Sequence, residues 1–256
     1  MKKKEFYPLV ILILFSATLV SQTLKRSGIV EYDFYQNLGL QTKANCVLYF
    51  SEDRSTFVEG NFDMVKPVDN NTKVIDDRDL SKIKKQFLIN IPEKQLFTIE
   101  EIDEEVFIAV EKFYEFKWKL LNETKKIGGF TCKKAVSEFR GRNYTAWFSE
   151  EIRVNFGPWK IHGLPGLILE LKDDLQQIHI IAQNVSFVES NKIKEKLELP
   201  DNGKKITLKE YVELQQSIDD QMLKRAMSRL PKEMKVSSMS KASRKNKREV
   251  SYEWEK

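Results

Sequence analysis

Along much of the chain, apolar and polar residues alternate with a period of two. In residues 30–34 (VEYDF), Val30, Tyr32 and Phe34 alternate with Glu31 and Asp33, the pattern of a strand with one face in water. Further strand-like runs follow at residues 46–50 (CVLYF), 56–58 and 106–110 (VFIAV). Residues 86–91 (QFLINI) and 95–99 (QLFTI) flank Pro92, Glu93 and Lys94 and predict a hairpin. Phe116, Trp118 and Leu120 alternate with Lys117 and Lys119, and Tyr144, Ala146 and Phe148 with Thr145 and Trp147. Residues 126–129 (KIGG) predict a tight turn, because Gly128 and Gly129 reach positive φ without steric cost. Strands at 167–171 and 178–182 extend the series. Turn signals about every ten residues predict an antiparallel meander rather than βαβ units.

One segment changes period. Thr207 and Glu210 fit a capping box, in which each side chain satisfies the other residue's free backbone amide. Tyr211, Leu214, Ile218, Met222 and Met227 then keep a helical apolar stripe as far as Pro231, which predicts a helix over residues 207–229. The expected fold is mainly β (α+β): a curved antiparallel sheet or half-barrel packed on a C-terminal helix.

The two ends depart from this pattern. Lys2, Lys3 and Lys4 precede an uncharged apolar run at residues 9–20. That run is shorter than the roughly 20 residues of a membrane span but suits a signal-peptide core. Residues 1–22 are therefore expected to be a cleaved leader, leaving a β-rich domain over 23–231. The product would be soluble, in the periplasm or at the periphery of the outer membrane. Residues 232–256 form a basic tail. Within it, residues 241–248 (KASRKNKR) hold five basic residues and no acid, so a solvated segment is expected. Contact with an anionic surface is its functional reading. Residues 250–255 regain strand alternation and could dock back on the sheet.

The formal net charge of +5 is concentrated in leader and tail. The body between them is close to neutral, which argues against nucleic acid as a partner. Two cysteines, Cys46 and Cys132, could form one disulfide in an oxidising compartment, or stand as two buried thiols.

Chemistry-bearing residues are few. The histidines are His162 and His179, and no metal-ligand spacing, phosphate loop or nucleophile elbow is present. No metal or cofactor is expected. His179, flanked by Ile178 and Ile180, reads as an exposed strand residue. A Cys132–His162 nucleophile pair is the one hydrolase arrangement available. The densest stretch is residues 157–171 (GPWKIHGLPGLILEL). Gly157, Pro158, Gly163, Pro165 and Gly166 are expected to build turns, with Gly166 taking the positive φ of a type II turn. Trp147, Trp159, Ile161, His162, Leu164 and Leu167 then form either a plug at one end of the sheet or an apolar binding surface.

Residues 129–135 (GFTCKKA), 139–142 (FRGR), 146–148 (AWF), Glu151-Ile152, 157–159 (GPW) and 163–168 (GLPGLI) together resemble the GLPGLI family. These are exported proteins of Bacteroidetes-type bacteria, with no assigned chemistry. The resemblance implies a cell-envelope location and carries over no catalytic residue. A fainter likeness is to periplasmic lipoprotein carriers, whose curved sheet encloses an apolar cavity. On these grounds the chain reads as a non-enzymatic envelope protein that binds a lipid or other apolar ligand beside the GLPGLI loop. An accessory of an outer-membrane transporter or surface assembly is the first alternative, with an outer-membrane protein as partner. A hydrolase is the second.

Overall fold

The computed structural model describes residues 27–64, 85–229 and 247–255. The expected leader at 1–22 and most of the tail at 232–256 lie outside these residues. Among them, thirteen strands form one sheet. The strands are β1 (Gly28–Asn37), β2 (Gln41–Phe50), β3 (Arg54–Val58), β4 (Phe62–Met64), β5 (Lys85–Asn90), β6 (Gln95–Ile102) and β7 (Glu105–Lys112). They continue with β8 (Lys119–Ile127), β9 (Phe130–Phe139), β10 (Arg142–Ser149), β11 (Leu167–Asp173), β12 (Ile178–Phe187) and β13 (Lys204–Thr207), and a helix α1 (Leu208–Arg229) follows.

The expected meander accounts for most neighbours. The hydrogen-bonded order is β13-β7-β6-β5-β3-β2-β1-β12-β11-β10-β9-β8, with β4 beside β2. The predicted hairpin is formed, Asn90 facing Gln95. Gly128 and Gly129 take φ of +54° and +86° between the paired Ile127 and Phe130. Apart from the short β4, which leaves β3 beside β5, two joins break sequence order: β1 pairs antiparallel with β12 from Gly28–Phe187 to Gln36–Ile178, and β13 runs parallel to β7. The fold is thus mainly β, with one C-terminal helix.

The sheet is strongly curved and does not close. Glu111 of β7 bonds to Arg140, between β9 and β10, at 2.9 Å, although seven strands separate β7 from β10 in the sheet order. Inside the curve, Val30, Tyr32 and Phe34 meet Leu48, Phe50, Phe57, Phe139, Tyr144 and Phe148. This is the apolar half of the alternation read from the sequence. The centre is filled by the segment between β10 and β11: Ile152, Phe156, Trp159, Ile161 and Leu164 are all at most 2% exposed. Burying each such side chain contributes about 1.5–3 kcal/mol relative to leaving it in water.

Two elements sit differently from expectation. The sheet wraps around that loop and not around the helix. α1 begins with the expected capping box, the Thr207 N–H donating to the Glu210 carboxylate at 2.7 Å and the Glu210 N–H to the Thr207 hydroxyl at 3.2 Å. Its apolar packing lies at its start, Leu208 and Tyr211 against Ala109 of β7, with Gln215 donating to Glu100 at 3.0 Å, while Leu214, Ile218 and Met222 stay half-buried. Phe116 and Trp118 precede β8 and are not part of a strand. They stack at 5.4 Å and the Trp118 indole N–H donates to the His162 carbonyl at 2.9 Å, so their spacing serves ring stacking rather than sheet pleat. Residues 247–255 return to the domain and dock across the mouth of the curve, ending in a short 3-10 turn at Glu253–Glu255.

Candidate functional site

The turn-rich stretch is packing machinery. The Gly166 N–H donates to the Leu164 carbonyl at 2.8 Å, closing a three-residue turn over Pro165. The expected type II turn is absent, and Gly166 is not among the glycines with positive φ. Its requirement is space: a Cβ there would meet the Ser149 carbonyl oxygen at 2.2 Å and the Glu150 nitrogen at 2.9 Å. Gly157 is needed for the same reason, against Ile168 at 2.7 Å. Positive φ occurs instead at Gly163 (+89°) and at Trp159 (+59°). Trp159 is the second residue of a turn that the Ile161 N–H closes onto the Pro158 carbonyl at 3.3 Å. The suggested binding residues Trp147, Trp159, Ile161, His162, Leu164 and Leu167 are all at most 8% exposed. The loop is a plug, and its side chains present no apolar surface to a ligand.

The sulfur chemistry expected as an alternative is not assembled. Cys46 and Cys132 are separate buried thiols and not a disulfide, because four strands stand between β2 and β9 in the sheet. Burial raises the Cys46 thiol to about 12, with the Glu59 carboxylate adding to the effect. It raises Cys132 to about 11 against the opposing pull of Lys125. Neither is a thiolate nucleophile at neutral pH. His162 is enclosed by the rings of Phe113 and Phe116, with centroids at 4.4 and 5.1 Å. Burial lowers its pKa, only partly offset by hydrogen bonding to the Lys160 and Tyr114 carbonyls.

The open chemistry lies on the outer, wet face of the sheet, where the register lines up residues from five strands. Trp147 of β10 faces Lys134 of β9 and Glu170 of β11, Glu170 faces Ile181 of β12, and Ile181 faces Asp33 of β1. Lys125 bonds to the Glu170 carboxylate and sits 4.4 Å from the Trp147 ring centre. His179 Nε2 lies 3.1 Å from Glu170 and the imidazole stacks on Tyr35 at 6.0 Å. Lys43 lies over the Tyr35 ring at 5.4 Å and pairs with Asp33 at 3.0 Å. Burial alone would raise the Glu170 pKa, but His179 and Lys125 override it and hold the carboxyl at about 2. The Trp147 indole N–H is buried without an acceptor among the described residues. This track ends at a cavity of about 470 Å³ lined by Lys43, Asn45, Asn61, Asp63 and Met64.

Such a surface offers ring faces, hydrogen-bond donors and acceptors of both charges, and a recess. It suits a polyhydroxylated ligand better than a lipid, because a sugar presents hydroxyls to polar groups and C–H faces to rings. The sequence marks Trp147 as a binding candidate and His179 as an exposed strand residue, but does not single out Tyr35, Lys43 or Glu170. Tyr35, Lys43, Trp147, Glu170 and His179 are spread over five strands, and only the wet side of each alternation pointed to this face.

Residues 30–213 match the family described as N-glycanase peptide, N-terminal domain. Comparison with curated proteins finds no match. Among solved structures, PNGF-II in a C2 crystal form has a TM-score of 0.53 at 15% identity, covering 73% of this chain and 32% of that one. PNGF-II in a P21 form has a TM-score of 0.52 at the same identity and coverage. The chain therefore spans about a third of the length of these structures. A LolA superfamily protein from Nitrosomonas europaea has a TM-score of only 0.29 at 8% identity, too low to carry an argument from the lipoprotein-carrier likeness. The family match overturns the GLPGLI-family resemblance: the run at 163–168 records a packing solution and not a lineage. It also overturns the reading as a non-enzymatic apolar-ligand protein, and favours the hydrolase alternative, though without the Cys132–His162 pair.

Proposed function

The chain belongs to the family of N-glycanase N-terminal domains, and from that premise we propose that it serves the hydrolytic release of N-linked glycans, holding the glycan on the outer face of its sheet. The observation that carries this reading is the track of accessible groups from His179 and Tyr35 to the cavity at Lys43 and Asn45, backed by the buried Glu170 and Trp147. The cavity, about 470 Å³, lies within the range of small-ligand sites, about 300–1,000 Å³. Its amides, ammonium and carboxylate match sugar hydroxyls and acetamido groups. The Tyr35 and His179 rings supply faces for further sugar units. Glu170, kept ionised beside His179 and Lys125, fixes the orientation of the imidazole on the open face.

Calorimetric titration of the full chain with a free N-glycan tests the reading, alongside glycan release from a glycopeptide. Saturable binding is expected, weakened at least tenfold by Tyr35→Ala or Asn45→Ala, both on the wet face and outside the core. Equal binding by these variants, or no binding by the parent chain, would remove the outer face from the account.

A further inference from the structure

The mouth of the curved sheet holds a second arrangement of charge, unrelated to the outer face. Lys160, 2% exposed, bonds to Glu111 at 2.6 Å and to both carboxylate oxygens of Glu249 at 3.0 and 3.3 Å. Arg140 bonds to the same two carboxylates and to Glu253 at 3.1 Å. The neighbouring Arg248 enters a different recess. Its guanidinium pairs with the buried Glu59, donates to the Gln36 side-chain oxygen at 2.7 Å and lies 4.9 Å from the Phe34 ring centre.

The backbone of the docked segment is read as well. Arg142 Nη2 donates to the Lys247 carbonyl at 2.6 Å and its Nε to the Arg248 carbonyl at 3.0 Å. The Val250 and Ser251 N–H groups donate to the Arg140 carbonyl at 2.9 and 3.2 Å. The close approach needs Gly141, where a Cβ would lie 3.0 Å from the Ser251 hydroxyl. Without residues 247–255, Arg140 and Lys160 would share the single carboxylate of Glu111, and Glu59 would lose its guanidinium. The two recesses are therefore complementary to an adjacent Arg-Glu pair, and their charges are desolvated, the condition under which removing one partner is costly. Residues 247–255 also lie beyond the part of the chain that matches the family.

We propose that the mouth is a peptide-binding site for an extended segment carrying Arg followed by Glu, filled in this chain by its own residues 248 and 249 as an exchangeable ligand. Glu59, with Phe34 and Gln36, takes the arginine. Arg140 and Lys160 take the glutamate, and Arg142 takes the backbone carbonyls.

The test uses the full chain carrying Arg248→Ala and Glu249→Gln, which weakens the built-in ligand, and a fluorescent synthetic peptide of residues 247–256. The peptide is expected to bind the variant saturably, at least tenfold more tightly than it binds the parent chain. A peptide with the same two substitutions is expected to lose that binding. A folded variant that ignores the peptide, or binds both peptides equally, would overturn the proposal. Hydrogen exchange on the parent chain decides the matter if the variant does not fold. The Val250 and Ser251 amides are expected to exchange at least a hundredfold faster than those of β1 and β12, through local detachment. Exchange at the rate of the core strands would overturn the proposal.

Discussion

Replacing Gly166 with alanine isolates what the 163–168 run contributes. The added Cβ would stand 2.2 Å from the Ser149 oxygen, 2.6 Å from its carbonyl carbon and 2.9 Å from the Glu150 nitrogen. All three are backbone atoms, so no side chain can swing aside. The turn is held by the Gly166 bond to Leu164 at 2.8 Å and by the Leu167 bond to Ile152 at 3.1 Å. Strand β11 is held by the pairing of Leu167 with Ser149. Relief therefore needs a backbone shift and the weakening of at least one hydrogen bond. Overpacking of this kind costs about 1–3 kcal/mol and a lost hydrogen bond about 1 kcal/mol, so about 3 kcal/mol is expected in total. Gly128→Ala is the control. It adds a side chain at φ +54° with no atom within 4 Å, which costs only the left-handed conformation, about 1–2 kcal/mol. For a domain of this size each kcal/mol lowers Tm by about 2–4 °C. Thermal unfolding followed by circular dichroism should then show Gly166→Ala melting about 6–12 °C below the parent, and well below Gly128→Ala. A Gly166→Ala variant as stable as Gly128→Ala would refute the close-approach argument and restore conformation as the reason for the glycine.

Two further outcomes follow from the buried groups. With the thiols raised to about 12 and about 11, iodoacetamide at pH 8 should leave Cys46 and Cys132 unmodified in the folded chain and alkylate both after unfolding without reductant. Peptide mapping reads this, and an unmodified pair in the unfolded chain would mean a disulfide. Glu170 titrates at about 2 when folded against an ordinary value of 4.5, so its pairing stabilises the fold fully above about pH 4.5 and is lost as pH falls from there through about 2. Urea midpoints measured from pH 6 to pH 2.5 should therefore fall less steeply for Glu170→Gln than for the parent, and parallel slopes would contradict the pairing with His179 and Lys125.

Much of the fold was legible because a pleated strand with one wet face must alternate, and Val30 to Phe34 or Tyr144 to Phe148 could hardly do otherwise. The helix start was legible for the same local reason: Thr207 and Glu210 satisfy each other within one turn. What local pattern cannot carry is the identity of neighbours across a curved sheet. The pairing of β1 with β12 brings Tyr35 beside His179, 144 positions apart in sequence, and nothing in either strand announces the other. Glycine in the 163–168 run was rightly read as a backbone requirement, yet the sequence could not tell a positive φ from a close approach, and at Gly166 it is the approach. The apolar loop invited a ligand because its partners, Phe87, Phe139 and Tyr144 around Trp159, come from three distant strands. Arg248 reads from sequence as the end of a solvated basic run and Glu249 draws no reading, since the buried carboxylates and cations that receive them lie some 90 to 190 positions upstream.

The most direct test of glycan binding at the outer face is hydrogen exchange of the full chain with and without a saturating N-glycan. Protection is expected in β1, β2 and β12 around Tyr35, Lys43 and His179, with the segment between β10 and β11 unchanged. Protection confined to that segment, or no change anywhere at saturation, would contradict it.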